Sequence, residues 1–224
     1  ALQSESPVLL ISGDSPISED GNGSFQELDQ ATMTRPMTKL SRRVMDVDAL
    51  VSSVDEAIDL AMSPRRGPVH LALPFDVLTR QASSPSRTPS PQPEPSASIE
   101  GAALQAVAGL IARAHRPVIL AGPSACRGSA RLAWKALGES LQTPVIMMES
   151  PRGLRDPSGG AMAEQIAAAD LVVIAGKRLD FTLGFGKGKV FGPDTPLVVI
   201  DPDRAMLERA GRLLGDLLVR GCLA

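Results

Sequence analysis

Short apolar runs alternate with polar loops and helical patterns along most of the chain. Several of these runs end at Gly or Asp, which is typical of buried strands in a parallel sheet. The pattern predicts strands at residues 7–12, 39–45, 68–73, 117–121, 144–148, 171–175 and 197–200, with a last edge strand at 217–219. Helical spacing predicts helices near 29–32, 48–61, 99–114, 128–141, 163–169 and 204–210. This alternation indicates an α/β protein with parallel sheets between layers of helices.

Two helix starts are predicted from side chains that accept hydrogen bonds from free backbone N–H groups. Ser24 and Glu27 have the spacing of a capping box, in which a Ser and a Glu three residues apart begin a helix. Asp48 precedes a second helix in the same way. Apolar positions at helical spacing, among them Ile58 and Leu104, are expected to face the core.

A break from Arg80 to Ser98 divides this pattern into two parts. Five prolines lie in the segment 85–95, mostly among Ser, Thr, Gln and Arg. Proline removes backbone donors and small polar side chains bury little, so neither helix nor sheet is expected there. The predicted organisation is therefore a first domain at 1–79, a linker at 80–98 and a second domain at 99–224.

The two domains differ in how complete their predicted sheets are. Three strands and about two helices in residues 1–79 are too few to cover both faces of a parallel sheet. Leu9, Ile11, Val69 and Leu71 are therefore expected to lack neighbours. We interpret this part as a partial parallel-sheet domain, the C-terminal half of a larger one, in a chain that opens on Ala1 without Met. The second domain is predicted to be a Rossmann-like, doubly wound sheet.

Composition and charge exclude several classes of function. The net charge of −2 and the pI near 5.8 show no basic excess of the kind that nucleic-acid binding requires. No apolar run approaches the roughly 18 residues of a membrane span, so no membrane partner is expected. Cys126 and Cys222 are far apart and near no His, so neither a metal site nor a disulfide is predicted. Two reduced thiols favour a cytoplasmic protein. His70, within a strand, is predicted to be a packed histidine and not a catalytic base.

Candidate ligand-binding residues follow three strands of the second domain. Gly122, Gly176 and Asp201 come at predicted carboxyl ends, where a glycine lets a phosphate or ribose approach and a carboxylate can bind ribose hydroxyls. Arg178 could pair with a phosphate or lie flat on an adenine ring. The alternative is that the glycines only end strands and that Asp201 caps the next helix. The glycine- and lysine-rich segment 184–189 lacks the Walker spacing and is expected to be a mobile surface loop.

Ordered motifs give the chain a family resemblance. Four of them resemble the second half of the pyrimidine-binding domain of thiamine diphosphate enzymes of the acetolactate synthase-like family: PVLLISG at 7–13, GSFQE at 23–27, TRPMTK at 34–39 and RGPVHLALPFDV at 66–77. Three more resemble the central domain of that family: RPVILAG at 116–122, ADLVVIAGKRLD at 169–180 and VIDPD at 199–203.

The resemblance implies a decarboxylase or carboligase for 2-keto acids or related carbonyls, with thiamine diphosphate and magnesium in the full-length enzyme. The catalytic glutamate would lie upstream of Ala1, and the magnesium motif, a Gly-Asp-Gly with a distant Asn, in a third domain. Asn22 cannot serve that motif, so no metal ligand is expected in this chain. By itself the chain is expected to be inactive. Phe25 and Gln26 would line the substrate side of the cofactor; the alternative is a packing residue and a solvent-facing amide at a helix start.

The resemblance also implies a homodimer or homotetramer, because the family forms its active site between subunits. Its central domain binds FAD in the synthases and an adenine nucleotide such as ADP in oxalyl-CoA decarboxylases. Arg65 matches a flavin-contacting arginine, but Phe75 replaces a usual Lys and Ala121-Gly122-Pro123 replaces a run of glycines. These departures argue against a standard biosynthetic acetolactate synthase. The rival reading is a non-catalytic nucleotide-binding module for FAD, ADP or NAD.

Overall fold

In the part of the chain described by this computed structural model, residues 1–83, 99, 101–187 and 190–215, seven strands form two parallel sheets. The chain divides into two compact units, Ala1–Pro95 and Ser96–Ala224. Most of the predicted linker, residues 84–98, and the predicted edge strand at 217–219 lie outside the described residues. None of the helices in the described ranges is long and apolar enough to cross a membrane.

The first unit contains three parallel strands: β1 (Val8–Asp14), β2 (Leu40–Arg43) and β3 (Pro68–Pro74). Their order is β1-β3-β2, and His70 of β3 is in register with Leu10 of β1 and with Ser41 of β2. Every residue of the central strand β3 is buried. Val69 and Leu71 are 0% exposed, so the prediction that they lack neighbours is wrong.

Strand β1 lies at the edge of this sheet and is poorly covered. Its apolar run predicted burial on both faces, but Val8, Leu10 and Ile11 are 43%, 49% and 49% exposed. That prediction is wrong for β1, whereas the expected lack of neighbours is confirmed for Ile11. The reason is topological, because an edge strand pairs with a neighbour on one side only.

Three helices accompany the first sheet: α1 (Gln30–Thr34), α2 (Leu50–Met62) and α3 (Phe75–Thr79). Helix α2 packs Ala57 and Ala61 into an apolar cluster with β3. Its N-cap is Ala49, so the cap predicted at Asp48 is wrong; the Asp48 carboxylate instead accepts from the Ser83 N–H at 2.7 Å. Ile58 is also wrongly predicted as a core residue, since it is 44% exposed.

The second unit contains a doubly wound sheet, as predicted. Its strands are β4 (Pro117–Ala121), β5 (Val145–Met147), β6 (Leu171–Ala175) and β7 (Leu197–Ile200), in the order β5-β4-β6-β7. Its helices are α4 (Gly101–Arg113), α5 (Gly128–Leu141), α6 (Met162–Ala167) and α7 (Arg204–Leu214).

Alternate residues of the second sheet enter two separate apolar clusters. Val172 and Ile174 of β6 pack with residues of α6 and α7, whereas Val173 packs with residues of α4 and α5. The sheet is therefore covered on both faces, which confirms the predicted fold class for this unit. Leu104 of α4, which was predicted to face the core, is 54% exposed, and Leu137 of α5 is 41% exposed.

Candidate functional site

The sequence candidates of the second unit lie along one edge of its sheet. Gly122 follows β4, Gly176 follows β6 and Asp201 follows β7, and these three parallel strands are neighbours. The chain adds β5 on one side of β4 and β6 on the other, so the topological switch point lies between β4 and β6. Open α/β sheets bind ligands at this position, beyond the carboxyl ends of the strands.

Gly122 is a glycine because of backbone packing. A Cβ atom there would lie 1.9 Å from the carbonyl oxygen of Gly176, and the Gly122 N–H donates to the Ala175 carbonyl at 2.8 Å. The residue is buried. Gly122 is therefore fixed by its contact with the backbone of Gly176, and its predicted contact with a ligand stays a prediction.

Gly176 has the opposite environment. Its φ of +60° is in the left-handed region, which L side chains rarely adopt. No atom lies within 4 Å of the position that its Cβ would occupy, and the residue is half-buried. The backbone at Gly176 is thus open to a ligand from the side that a side chain would fill.

Arg178 follows Gly176 by two residues and lies half-buried at the same edge. Its Nε is buried, and this donor has no hydrogen-bond partner among the residues that the structure describes. A buried donor without a partner costs about 1–3 kcal/mol, and guanidinium groups prefer anionic or carbonyl oxygens. The residue therefore fits a bound group that supplies an acceptor, such as a phosphate.

Asp201 is 1% exposed, and its Oδ1 accepts from the Asp203 N–H at 2.9 Å. Helix α7 begins at Arg204, and the side chain of its N-cap residue Asp203 accepts from the Ala205 N–H at 2.9 Å. The alternative interpretation of Asp201 as the helix cap is therefore wrong. Its carboxylate stabilises the turn after β7, and a role in binding ribose stays a prediction.

Sequence reasoning missed a loop at this edge that Asp180 organises through its contacts with Lys177 and Thr182. Lys177 is 6% exposed, and its Nζ lies 3.3 Å from Asp180 Oδ1. The same oxygen accepts from the Thr182 N–H at 2.9 Å and from the Thr182 hydroxyl at 2.5 Å. The signal was present as an Asp-x-Thr pattern, in which an Asp caps the turn that follows it.

The segment after Asp180 is partly packed against the core of the second unit. Residues Phe181–Gly186 form short helical turns separated by a kink at Leu183, Gly184 and Phe185, and Leu183 is 0% exposed. A Cβ at Gly186 would lie 2.6 Å from a methyl group of Leu214 in α7. Phe185 and Lys187 are exposed and Gly184 and Gly186 are half-buried, so the predicted surface position is confirmed for residues 184–187 and their mobility stays a prediction; residues 188–189 lie outside the described residues.

In the first unit, Phe25 and Gln26 belong to a turn and not to a helix start. The Glu27 carboxylate accepts from the N–H groups of Gly21, Gly23 and Ser24 at 2.5, 2.7 and 3.0 Å. The N–H groups of Gly21 and Ser24 lower the pKa of Glu27 most. No helix begins at Ser24, because α1 starts later with Asp29 as its cap. The predicted capping box is therefore wrong.

This turn presents both candidate side chains outward. Phe25 is 87% exposed, and Gln26 is exposed with a φ of 65°. A left-handed non-glycine residue costs about 1–3 kcal/mol, and such residues cluster at functional sites. A crevice of about 560 Å³ adjoins the turn, lined in part by Gly23, Glu27 and Arg43.

Arg43 fastens the start of the same loop to the sheet. Its Nε lies 2.6 Å from Asp14 Oδ2, and its Nη1 lies 2.7 Å from Asp20 Oδ2. Its Nη2 donates to the Ser15 carbonyl at 2.9 Å. The hydrogen bond from Arg43 lowers the pKa of Asp20. Sequence reasoning did not find this cluster, because its members are joined by the fold and share no spacing.

Arg65 and His70 also belong to the first unit. Arg65 Nη1 lies 2.6 Å from Glu5 Oε1, with side chains 12% and 5% exposed. His70 is 1% exposed, which confirms a packed histidine.

A further crevice of about 740 Å³, lined in part by Leu132, Lys135 and Gln142, contains none of the predicted site residues.

Comparison with known proteins identifies related sequences over most of the chain. A sequence model of the family described as thiamine pyrophosphate enzyme, central domain, matches residues 104–217, just over half of the 224 residues. A probable acetolactate synthase of Mycobacterium bovis is 32% identical over an alignment 227 residues long that covers 97% of this chain and 41% of the relative. Oxalyl-CoA decarboxylase of Escherichia coli K12 is 30% identical over an alignment 216 residues long that covers 87% of this chain and 36% of the relative.

A solved structure has a similar fold. The thiamine diphosphate-dependent 4-hydroxybenzoylformate decarboxylase of Rhodococcus jostii RHA1 superposes with a TM-score of 0.71 over 93% of this chain and 42% of its own, at 22% identity. This chain therefore spans about two fifths of the length of the proteins that it matches.

Proposed function

Because this chain belongs to the thiamine pyrophosphate enzyme family through its central domain, we propose that it is part of a thiamine diphosphate-dependent decarboxylase or carboligase. The substrates would be 2-keto acids or related carbonyl compounds. The match of residues 104–217 carries this proposal, and the names of the synthase and decarboxylase relatives support the reaction types. The test is to assay the enzyme that carries these residues with thiamine diphosphate, magnesium and a panel of 2-keto acids and oxalyl-CoA. Absence of turnover across the panel would contradict it.

Thiamine diphosphate, when bound, supplies a carbon nucleophile towards the substrate carbonyl. In this chain Phe25 and Gln26 are proposed to contact the substrate side of that cofactor, since both are exposed on a strained turn. In the described ranges no group of three or more His, Cys, Asp and Glu side chains is placed to hold a metal ion, so we assign no residue here to magnesium.

We also propose that residues 1–224 alone do not turn over substrate. Support comes from the coverage, since the chain spans 41% and 36% of the two relatives. The test is to add thiamine diphosphate, magnesium and pyruvate to the purified chain and follow the release of carbon dioxide. Measurable catalysis by this chain would refute the proposal.

The edge of the second sheet is proposed to bind an adenine nucleotide, either ADP or the ADP half of FAD. The buried Nε of Arg178 and the open backbone at Gly176 support this proposal, because a phosphate oxygen would satisfy the donor and pass over the glycine. Gly122 and Asp201 would line the site. Arg65 is proposed to contact a flavin only if its ion pair with Glu5 opens.

Calorimetry on the 224-residue chain with ADP, FAD and NAD tests this site. We expect Arg178→Met to weaken nucleotide binding about 10- to 100-fold, as expected for a lost charge-assisted hydrogen bond. Arg131→Met is the matched control, because Arg131 is an exposed arginine whose Nη1 lies 3.6 Å from Glu149. Equal affinity of the two variants would contradict the assignment. Binding of NAD in preference to ADP and FAD would favour the rival reading of a non-catalytic nucleotide module.

We propose that the intact enzyme is a homodimer or homotetramer. The exposed side chains of Val8, Leu10 and Ile11 support association, because an apolar edge strand is seldom left in water. Light scattering on the intact enzyme is the test, and a monomer would contradict the proposal. The cytoplasmic location stays a prediction.

A further inference from the structure

Helix α1 is attached to the first sheet by hydrogen bonds and not by apolar packing. None of its residues is buried, although most short helices depend on a buried face. Instead, Thr34 Oγ1 lies 2.8 Å from His70 Nδ1 and 2.7 Å from Ser41 Oγ. At the other end of α1, Gln30 Nε2 donates to the Gly13 carbonyl at 2.8 Å.

The His70 ring connects α1 with all three strands of the sheet. It lies on the central strand β3, and its Nε2 is 2.8 Å from Ser12 Oγ of β1. Its Nδ1 is 3.0 Å from Ser41 Oγ of β2 in addition to the Thr34 contact. A buried polar group with partners on both ring nitrogens has one fixed orientation.

The contacts of Thr34 favour one protonated ring nitrogen of His70. Thr34 Oγ1 lies 2.8 Å from the Gln30 carbonyl, which can only accept, so its single hydroxyl proton is expected in that bond. We infer that Nδ1 carries the ring proton and donates to Thr34, and that Nε2 accepts from the Ser12 hydroxyl. Burial lowers the pKa of His70, against the opposing charge of Asp14, and so favours this neutral form.

The anchored helix is linked to the turn that carries Phe25 and Gln26. The Asp29 cap of α1 follows Gln26 by three residues. The Gln26 side chain also lies over Gly13, since Gln26 Oε1 is 3.9 Å from the position of a Cβ there. Gly13, which is exposed, therefore has the Gln30 side chain bonded to its carbonyl and the Gln26 side chain beside it.

We propose that His70 is a positioning residue: through Thr34 it holds α1, and α1 in turn holds the Phe25–Gln26 turn against Gly13. This inference rests on the proposed function in one respect, that the turn faces substrate. The anchor itself is a property of the first unit and is tested separately from catalysis.

Hydrogen exchange on the 224-residue chain tests the anchor. Thr34→Val removes the hydroxyl and keeps the shape, and we expect amide exchange in residues 21–34 to rise about fivefold, as for one lost hydrogen bond. Thr79→Val is a closely matched control, because Thr79 ends a helix of the same length and also donates to a carbonyl four residues earlier. Thr34→Ser should restore slow exchange. Equal exchange in the Thr34→Val and Thr79→Val variants would overturn the proposal.

A spectroscopic measurement keeps the proposal falsifiable if the variants fold poorly. The sequence contains only His70 and His115, so the ¹⁵N signals of the imidazoles can be assigned with one substitution. We expect neutral His70 protonated at Nδ1. A His70 protonated at Nε2 would overturn the proposal.

Kinetics of the enzyme that carries these residues separates the anchor from the proposed function. We expect Thr34→Val to raise KM about fivefold for the carbonyl substrate and to change kcat little, with rescue by Thr34→Ser. If exchange rises but KM and kcat stay unchanged, the anchor stands and the assignment of the turn to substrate fails.

Discussion

Strands β1 and β6 carry almost the same apolar run, VLLIS and LVVIA, but their environments differ. Leu10 and Ile11 of β1 are each 49% exposed, whereas every residue of β6 is buried and Ile174 is 0% exposed. Strand β6 lies between β4 and β7 and is covered by helices on both faces; β1 has a single neighbour. An apolar run thus predicts a strand, but coverage of its faces depends on its place in the sheet.

The largest expected effect tests this contrast directly. Ile174→Ala should lower the free energy of unfolding of the second unit by about 2–5 kcal/mol, because it leaves a cavity in a closed core. Ile11→Ala, the same change on the half-exposed strand, should cost less than about 1 kcal/mol. Urea unfolding is the measurement, and fluorescence of the only tryptophan, Trp134, reports on the second unit. Equal losses of unfolding free energy in the two variants would contradict the contrast between β6 and β1.

A second contrast compares two Arg–Glu ion pairs of the first unit, one buried and one exposed. Arg65 and Glu5 are 12% and 5% exposed, whereas Arg42 and Glu56 are 40% and 54% exposed. Arg65→Met should lower the free energy of unfolding by about 3 kcal/mol, because it removes the Arg65 charge beside the buried Glu5 carboxylate. Arg42→Met should lower the free energy of unfolding by less than about 1 kcal/mol. Urea unfolding followed by circular dichroism measures both, and a larger loss for Arg42→Met would contradict the role of burial.

Two glycines near strand ends give a third contrast. Gly122→Ala should destabilise the second unit by about 1–3 kcal/mol, because the new Cβ would meet the Gly176 carbonyl oxygen at 1.9 Å. Gly13→Ala at the end of β1 should be nearly neutral, since its Cβ would meet only Gln26 Oε1 at 3.9 Å. Thermal unfolding midpoints check the pair. A Gly13→Ala variant that loses as much as Gly122→Ala would show that β1 is packed as tightly as β4.

The smallest expected effect is a difference in pH dependence between the units. Burial lowers the pKa of His70 below its ordinary value of 6.5, with Asp14 opposing. The unfolded chain then binds the proton more readily than the folded one, so stability is full above about pH 6.5 and falls as the pH drops below it. The loss stops once the pH is below the lowered pKa of the folded protein.

Urea midpoints of the first unit at pH 7.5 and pH 5.5 measure this difference. His70→Gln should remove most of the change in urea midpoint between these two pH values, whatever its effect on absolute stability. His115→Gln is the control and should keep the slope, because His115 lies in the second unit. An unchanged slope in His70→Gln would show that another group titrates there.

The elements were more predictable than their caps and faces. The apolar runs located β4, β6 and β7 to the residue, because a short run between turn residues has few alternatives to a strand. The cap at Ser24 was wrong because α1 begins later, where Asp29 accepts from the Thr32 N–H, and the cap at Asp48 was wrong because Ala49 takes the N-cap position of α2 without a side-chain hydrogen bond. Leu104 and Ile58 were misjudged because helical spacing gives a stripe but not which side of it faces the sheet.

The candidate site was predicted in position more than in function. Carboxyl ends of parallel strands share one edge, so Gly122, Gly176 and Asp201 could be grouped from sequence. Their individual environments could not be deduced, since the closed contact at Gly122 and the open space at Gly176 depend on how neighbouring loops pass each other. The same holds for Lys177, whose burial follows from the turn that Asp180 organises.

By itself the sequence determined most of the described strands and their alternation with helices, because these follow from local periodicity; the linker that it predicts from proline chemistry stays a prediction. Only the tertiary structure decided which strand is central, which glycine is closed and which polar side chains meet. The clusters around His70 and Arg43 join residues far apart in sequence, from Ser12 to His70 and from Asp14 to Arg43. Such contacts depend on strand order and register, which are set by the packing of the whole sheet and not by any local pattern.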